Sequence, residues 1–166
     1  MTAAIWNADI VANMNNSIMH LHARRTTTQS VVSSIALVSD DTLQLAVAAN
    51  EVWQFQFHLR YDASTAGDIK ISFSFPASGQ VDAVSLAPSN ASVAYQDAVW
   101  TITTSDATPI SFAGAGTGSV RTNPIHGTYI GAGTAGTVIL RWAQNGSDAT
   151  ATRMLPQSTL WVAKLA

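Results

Sequence analysis

The chain has no cysteine, and only 11% of its 166 residues are charged. An average soluble protein carries about 25%. Lysine occurs twice, as Lys70 and Lys164, and glutamate once, as Glu51. Without cysteine there are no disulfides, thiolate zinc sites or cysteine nucleophiles. A net charge of −2 gives no long-range attraction to nucleic acid or to an anionic membrane. Apolar runs such as Leu45 to Ala49 stay far below the roughly 18 residues of a membrane span. Asn7, Asp9, Asn13, Asn15 and Asn16 interrupt the start of the chain, which therefore does not read as a signal peptide.

Small residues fill the space that charge leaves. Ala, Ser and Thr make up roughly 37% of the chain, and 47% of the residues are hydrophobic. The chain is too hydrophobic to be disordered, and its surface repels its own copies little. This composition suits a subunit of an assembly or a β-domain with a neutral surface.

Residues 1–25 differ from the rest. Val11, Met14, Ile18 and Leu21 follow the 3-4-3 spacing of a coiled-coil stripe. Asn7 is placed to cap a helix, Asp9 favours its positive end, and Arg24 and Arg25 favour its negative end. The pattern predicts a helical anchor over 1–25. Two heptads are marginal alone, so the helix needs a partner: the chain's own β-domain, further copies, or a host surface. Its candidate anchoring and oligomerisation residues are Trp6, Ile10, Val11, Met14, Ile18 and Leu21.

From Thr26 onward the sequence reads as strands. Ser39-Asp40-Asp41 is a turn signal. In 51–61, Trp53, Phe55, Phe57, Leu59 and Tyr61 occupy one face, and Gln54, Gln56, His58 and Arg60 the other. Ile69, Ile71, Phe73 and Phe75 alternate with Asp68, Lys70, Ser72 and Ser74, and the two runs are expected to pair as a hairpin. Further strands are expected at 81–86, 91–96, 98–104, 109–113, 123–130, 137–144, 148–154 and 158–164. The expected fold is mainly β: residues 26–166 form an antiparallel β-sandwich or jelly roll, preceded by the short helix.

Motifs for chemistry are weak. Gly131-Ala-Gly133-Thr-Ala-Gly136 spells a dinucleotide fingerprint, but the strand-like Thr137-Val138-Ile139-Leu140 follows where a helix is required. Gly114-Ala-Gly116-Thr-Gly118 likewise reads as a loop tip. His20 and His22 lack the i, i+4 spacing of a zinc pair, and His58 and His126 read as solvated. Asp40-Asp41 and Asp62/Asp68 flank turns without the further oxygens that calcium needs. No catalytic residue, metal site or cofactor is expected. Trp100, Trp142 and Trp161 are expected in the core.

The whole pattern resembles small virion proteins of tailed bacteriophages, the head decoration or spike proteins and minor tail proteins. The likeness lies in Trp6-Asn7-Ala8 through Asn16 and Leu21, in Gln29-Ser30-Val31 with Ser33-Ser34, and in Asp40-Asp41 with Leu43. It continues in Val47 to Trp53, Asp68-Ile69-Lys70, Phe75-Pro76-Ala77, Leu140 to Gln144, Asp148 to Thr152 and Leu160-Trp161, and is least in 87–118. The resemblance implies a β-sandwich on an N-terminal anchor, commonly trimeric. The expected function is a non-enzymatic virion protein, assembled in the host cytoplasm. It would be a homotrimeric capsid decoration protein whose partners are its own copies and the major capsid protein. The alternative is a minor tail or tail-tip protein touching host glycans through exposed aromatics and the loops 114–118 and 131–136. A small glycan hydrolase would need two carboxylates about 5–9.5 Å apart.

Overall fold

The computed structural model describes residues 19–88 and 95–166, and between 86 and 100 only the path of the strands. The described residues form twelve strands: β1 (His20–Arg24), β2 (Gln29–Val31), β3 (Val38–Val47), β4 (Val52–Asp62), β5 (Ile69–Ser74), β6 (Gln80–Pro88), β7 (Tyr95–Ile102), β8 (Ile110–Phe112), β9 (Val120–Ile130), β10 (Gly136–Ala143), β11 (Thr152–Met154) and β12 (Thr159–Lys164). All pair antiparallel. The larger sheet runs β1-β12-β4-β9-β6-β7, with β11 joining β4 to β2, and the smaller runs β3-β10-β5-β8.

The core lies where the alternating apolar faces meet. β4 supplies Phe55, Phe57, Leu59 and Tyr61, and β5 supplies Ile69, Ile71 and Phe73, all buried. The rings of Phe55, Phe57 and Phe73 meet with centroids 5.4, 5.5 and 5.7 Å apart, within the range where tilted and edge-on aromatic pairs attract. Leu43, Leu45 and Val47 of β3, Val138, Leu140 and Trp142 of β10, and Leu160 and Val162 of β12 complete the layer.

Three expectations are corrected. The first concerns the hairpin: β4 and β5 do not pair. β4 bonds to β9, β12 and β11, whereas β5 bonds to β10 and β8 in the other sheet. The connection 63–68 crosses between sheets, so the two greasy faces oppose each other instead of lying side by side. The outward side of β5 is also covered: the Ser72 hydroxyl donates to the Ala107 carbonyl at 3.0 Å, and the Phe75 amide to the Ser105 hydroxyl at 2.9 Å.

The second concerns Ser39-Asp40-Asp41, which lies inside β3. Opposite β10 the register jumps from Gln44 against Ile139 to Ser39 against Arg141. The turn signal marks a bulge, in which the Asp40 carboxylate accepts the amides of Thr42 at 3.0 Å and Leu43 at 2.8 Å.

The third concerns the last turn of the helix expected over 1–25; residues 1–18 lie outside the described residues. Residues 20–24 are strand β1 on β12. Ala23 stands opposite Leu160 and packs against the core, and sheet pairing overrides the weak helical spacing. Trp6, Ile10, Val11, Met14 and Ile18 lie outside the described residues.

Gly127 shows how tightly the large sheet is packed. It stands opposite Phe55, and a β-carbon there would lie 2.4 Å from the Phe55 ring and 2.5 Å from the Asp82 carbonyl oxygen. Overpacking a core of this kind costs about 1–3 kcal/mol. Gly127→Ala is therefore expected to lower the unfolding free energy measured in urea by that much, and an unchanged unfolding free energy would refute this packing.

Candidate functional site

Charges are scarce, and most of the described carboxylates close the fold. Glu51 takes the Ala48 amide at 2.7 Å, the Trp53 indole N–H at 3.0 Å and the Lys164 ammonium at 2.8 Å. Asp62 accepts the Gly118 amide at 3.0 Å and pairs with Arg153 at 3.2 Å. Asp68 accepts the Gly114 amide at 2.8 Å, and Asp148 takes the Ser64 hydroxyl at 2.8 Å and the Thr150 amide at 2.6 Å. Asp106 pairs with Arg141 at 3.3 Å. Carboxylates held by backbone amides act as loop closures. The Thr150 amide, then the Ser64 hydroxyl, hold the Asp148 carboxyl below its usual range, whereas burial raises that of Asp68. No group of three metal-ligating side chains occurs among the described residues.

Among the described residues, the largest charge cluster sits at Arg25, just after β1. Arg25 is fully buried. Its guanidinium lies 3.6 Å from the buried Asp40 carboxylate, donates to the Gln29 side chain at 3.1 Å, and bonds Asp41 at the surface. Its amide donates to the Ser158 carbonyl and its carbonyl accepts the Gln157 amide, both at 2.9 Å. Arg25 thus ties the end of β1 and the start of β12 in the large sheet to the β3 bulge in the small one. Burial pushes the Asp40 carboxyl up, against the amides of Leu43 and Thr42 and the charge of Arg25. Desolvation also acts upward on Asp41, but bonds from Thr42 and Arg25 together hold it below the usual carboxylate range.

The sequence shows Arg25 only as a cation suited to a helix end. Its signal was the doublet Asp40-Asp41 fifteen residues on, in a chain with few anions to offer. The partners of that doublet are not visible without the fold.

β1 is an edge strand, and it presents Leu21, which is 44% exposed, opposite Trp161, which is 39% exposed. The expectation that the tryptophans are core residues holds for Trp142, which is fully buried, and fails for Trp161, because its strand turns it to the outer face. The Trp100 position lies in β7, and its side chain is outside the described residues. Continuing from Trp161 across the sheet, the register places Gln56, His126 and Val84 in one row. The next row holds Gln54, Thr128 and Asp82. A depression of about 350 Å³ opens between these rows. The glycine stretches stand as loops between strands: Gly116 and Gly118 take φ of +98° and +80°, and strand β10 begins at Gly136.

No known protein family and no curated protein matches this chain. Among solved structures it is similar to the infectious bursal disease virus VP2 subviral particle, with 8% identity and a TM-score of 0.21 over 89% of this chain and 39% of that one. A structure of the Gx strain of the same virus gives 10% identity and a TM-score of 0.19 over 90% and 41%. The chain thus spans about two fifths of those structures.

Two outcomes follow from the charge clusters. Removing one partner of a buried ion pair costs about 3–5 kcal/mol, because the other charge is left alone. Arg25→Ala is expected to lose that much stability in urea, and Arg25→Met combined with Asp40→Asn to regain most of it; equal losses in both variants would contradict this. Lys164, the Trp53 indole and the Ala48 amide lower the Glu51 carboxyl from its ordinary 4.5 to about 2. The stabilisation is complete above pH 4.5 and is lost as pH falls toward 2. Glu51→Gln should flatten the acid limb of stability against pH, measured by urea unfolding.

Proposed function

We propose that this chain is a non-enzymatic structural protein of a bacteriophage virion: a homotrimeric capsid decoration protein attached through its N-terminal segment. The observation that carries this reading is the root of that segment. It enters on the edge strand β1, and its far end is fixed by Arg25 to both sheets at once. A segment fixed in this way has a defined position relative to the whole β-domain, which is what an attachment element needs. The charge-poor exterior supports the same reading. With most of the described carboxylates engaged in loop closures and ion pairs, the outer face of the large sheet carries Gln, Thr, His, a few apolar residues and the single carboxylate of Asp82. Such surfaces cost less to desolvate against a neighbouring subunit than charged ones do, provided that their polar groups find hydrogen-bond partners there.

The structure also sharpens where to cut. Deleting 1–18 removes the segment and leaves β1 and Arg25 in place, whereas deletion through Arg25 takes out an edge strand and the buried cluster. The 1–18 deletion is expected to keep the circular dichroism spectrum and thermal midpoint of the full chain but to be absent from purified particles. Full occupancy on particles by this truncated protein would sink the proposal. Light scattering of the full chain should give a multiple of 17.5 kDa, and a monodisperse species of that single mass would remove the trimer from it.

A further inference from the structure

The outer face of the large sheet carries polar side chains that the fold does not use. Gln54, Gln56, His126 and Thr128 make no side-chain hydrogen bond to any described residue, in contrast to the tied-down groups at the loop ends. They form a compact array. Thr128 stands between Gln54 on β4 and Asp82 on β6, and it is shorter than either. The surface dips there, into a depression of about 350 Å³ lined by Gln54, Asp82, Val84, His126 and Thr128. That volume is at the low end of small-ligand sites, about 300–1,000 Å³. Asp82 is steadied by the Gln80 amide, which donates to both its oxygens at 2.9 and 2.8 Å. A carboxylate has about four acceptor positions, so it retains acceptors for a ligand. In the neighbouring row, two strands and about 10 Å across the sheet from His126, the exposed Trp161 ring offers an apolar stacking surface bordered by Leu21.

This combination has a chemical signature. Side-chain amides present a donor and an acceptor side by side, as do the hydroxyls of a sugar, and an indole face takes the C–H side of a pyranose. The single ionised group lining the depression is negative, which disfavours an anionic ligand. We propose that this face binds a neutral oligosaccharide, seated at Thr128 between Gln54 and Asp82 and running past Gln56 and His126 to stack on Trp161. The site is on the sheet face and is lined by strand residues rather than by the loops 114–118 and 131–136. The inference rests on the sheet and is independent of how the chain is attached to a particle.

The test uses the full chain on an array of neutral and acidic oligosaccharides, followed by calorimetric titration of the neutral ones that bind. Saturable binding of at least one neutral oligosaccharide is expected. Trp161→Ala should weaken it about tenfold, and Thr128→Arg, which fills the dip from an outward-facing position, should abolish it. Gln56→Ala, a milder change on the same face, should weaken binding and guards against a variant that fails to fold. No saturable binding of any neutral oligosaccharide, binding of acidic ones alone, or wild-type affinity in all three variants would overturn the proposal. So would a fall in the light-scattering mass of Trp161→Ala without any glycan binding by the wild type, since the face would then be a contact between copies.

Discussion

Phe55 and Phe57 on β4 press against Phe73 on β5, and the two strands, though consecutive in the chain, belong to different sheets. Most of the architecture depends on that contact. A sheet with one apolar face must bury it, and opposing β4 to β5 buries both faces at once. It also obliges residues 63–68 to cross from one layer to the other and leaves the edges of both strands free for others. β9 and β12 take the two edges of β4, while β10 and β8 take those of β5. At the crossing, close approach of backbones replaces side-chain packing. A β-carbon on Gly114 would lie 2.3 Å from the Ser64 carbonyl oxygen, and the Tyr61 hydroxyl donates to the Ala113 carbonyl at 3.0 Å.

The low charge acquires its meaning from this layered arrangement. A sandwich of twelve short strands has many loop ends with amides in need of acceptors. In this chain Asp and Glu side chains fill that role repeatedly, with an arginine or lysine beside several of them. Arg25 is the extreme case: complete burial of a guanidinium is costly in itself, and it is tolerated because two carboxylates and an amide oxygen converge on it. Scarcity of charge and dense internal use of charge leave an exterior governed by shape and neutral polar groups.

Much of the layering was legible in the sequence. The period-two alternation of 51–61 and 69–75 assigned side chains to the inner or outer side of each strand, because that assignment is local, but not that Ser72 and Asp68 on the outer side of the second run are buried as well. It did not reveal which strand would lie beside which, since an alternating strand suits any partner of like pattern. The doublet Asp40-Asp41 was legible as a break, but a bulge and a turn share the same residue preferences. Leu21 fitted a helical stripe by spacing alone; its true period, set by Leu21 facing out and Ala23 facing in, spans only one bulged strand and is too short to stand out. The outer-face array was hidden for a different reason. Trp161, Gln56, His126 and Val84 come from four distant stretches of chain, and only the register between strands assembles them.

The antiparallel pairing of β1 with β12 has a mechanical consequence. A tension applied to the N-terminal segment along the axis of β1 would strain the pairs from His20–Val162 to Arg24–Thr159 together, with the Arg25 cluster beyond the last of them. The same tension applied across the sheet would peel the strand open one pair at a time, beginning at His20. Resistance to detachment therefore depends on the direction in which the domain is pulled as much as on the strength of any contact, and it is greatest when the segment leaves in line with the strand.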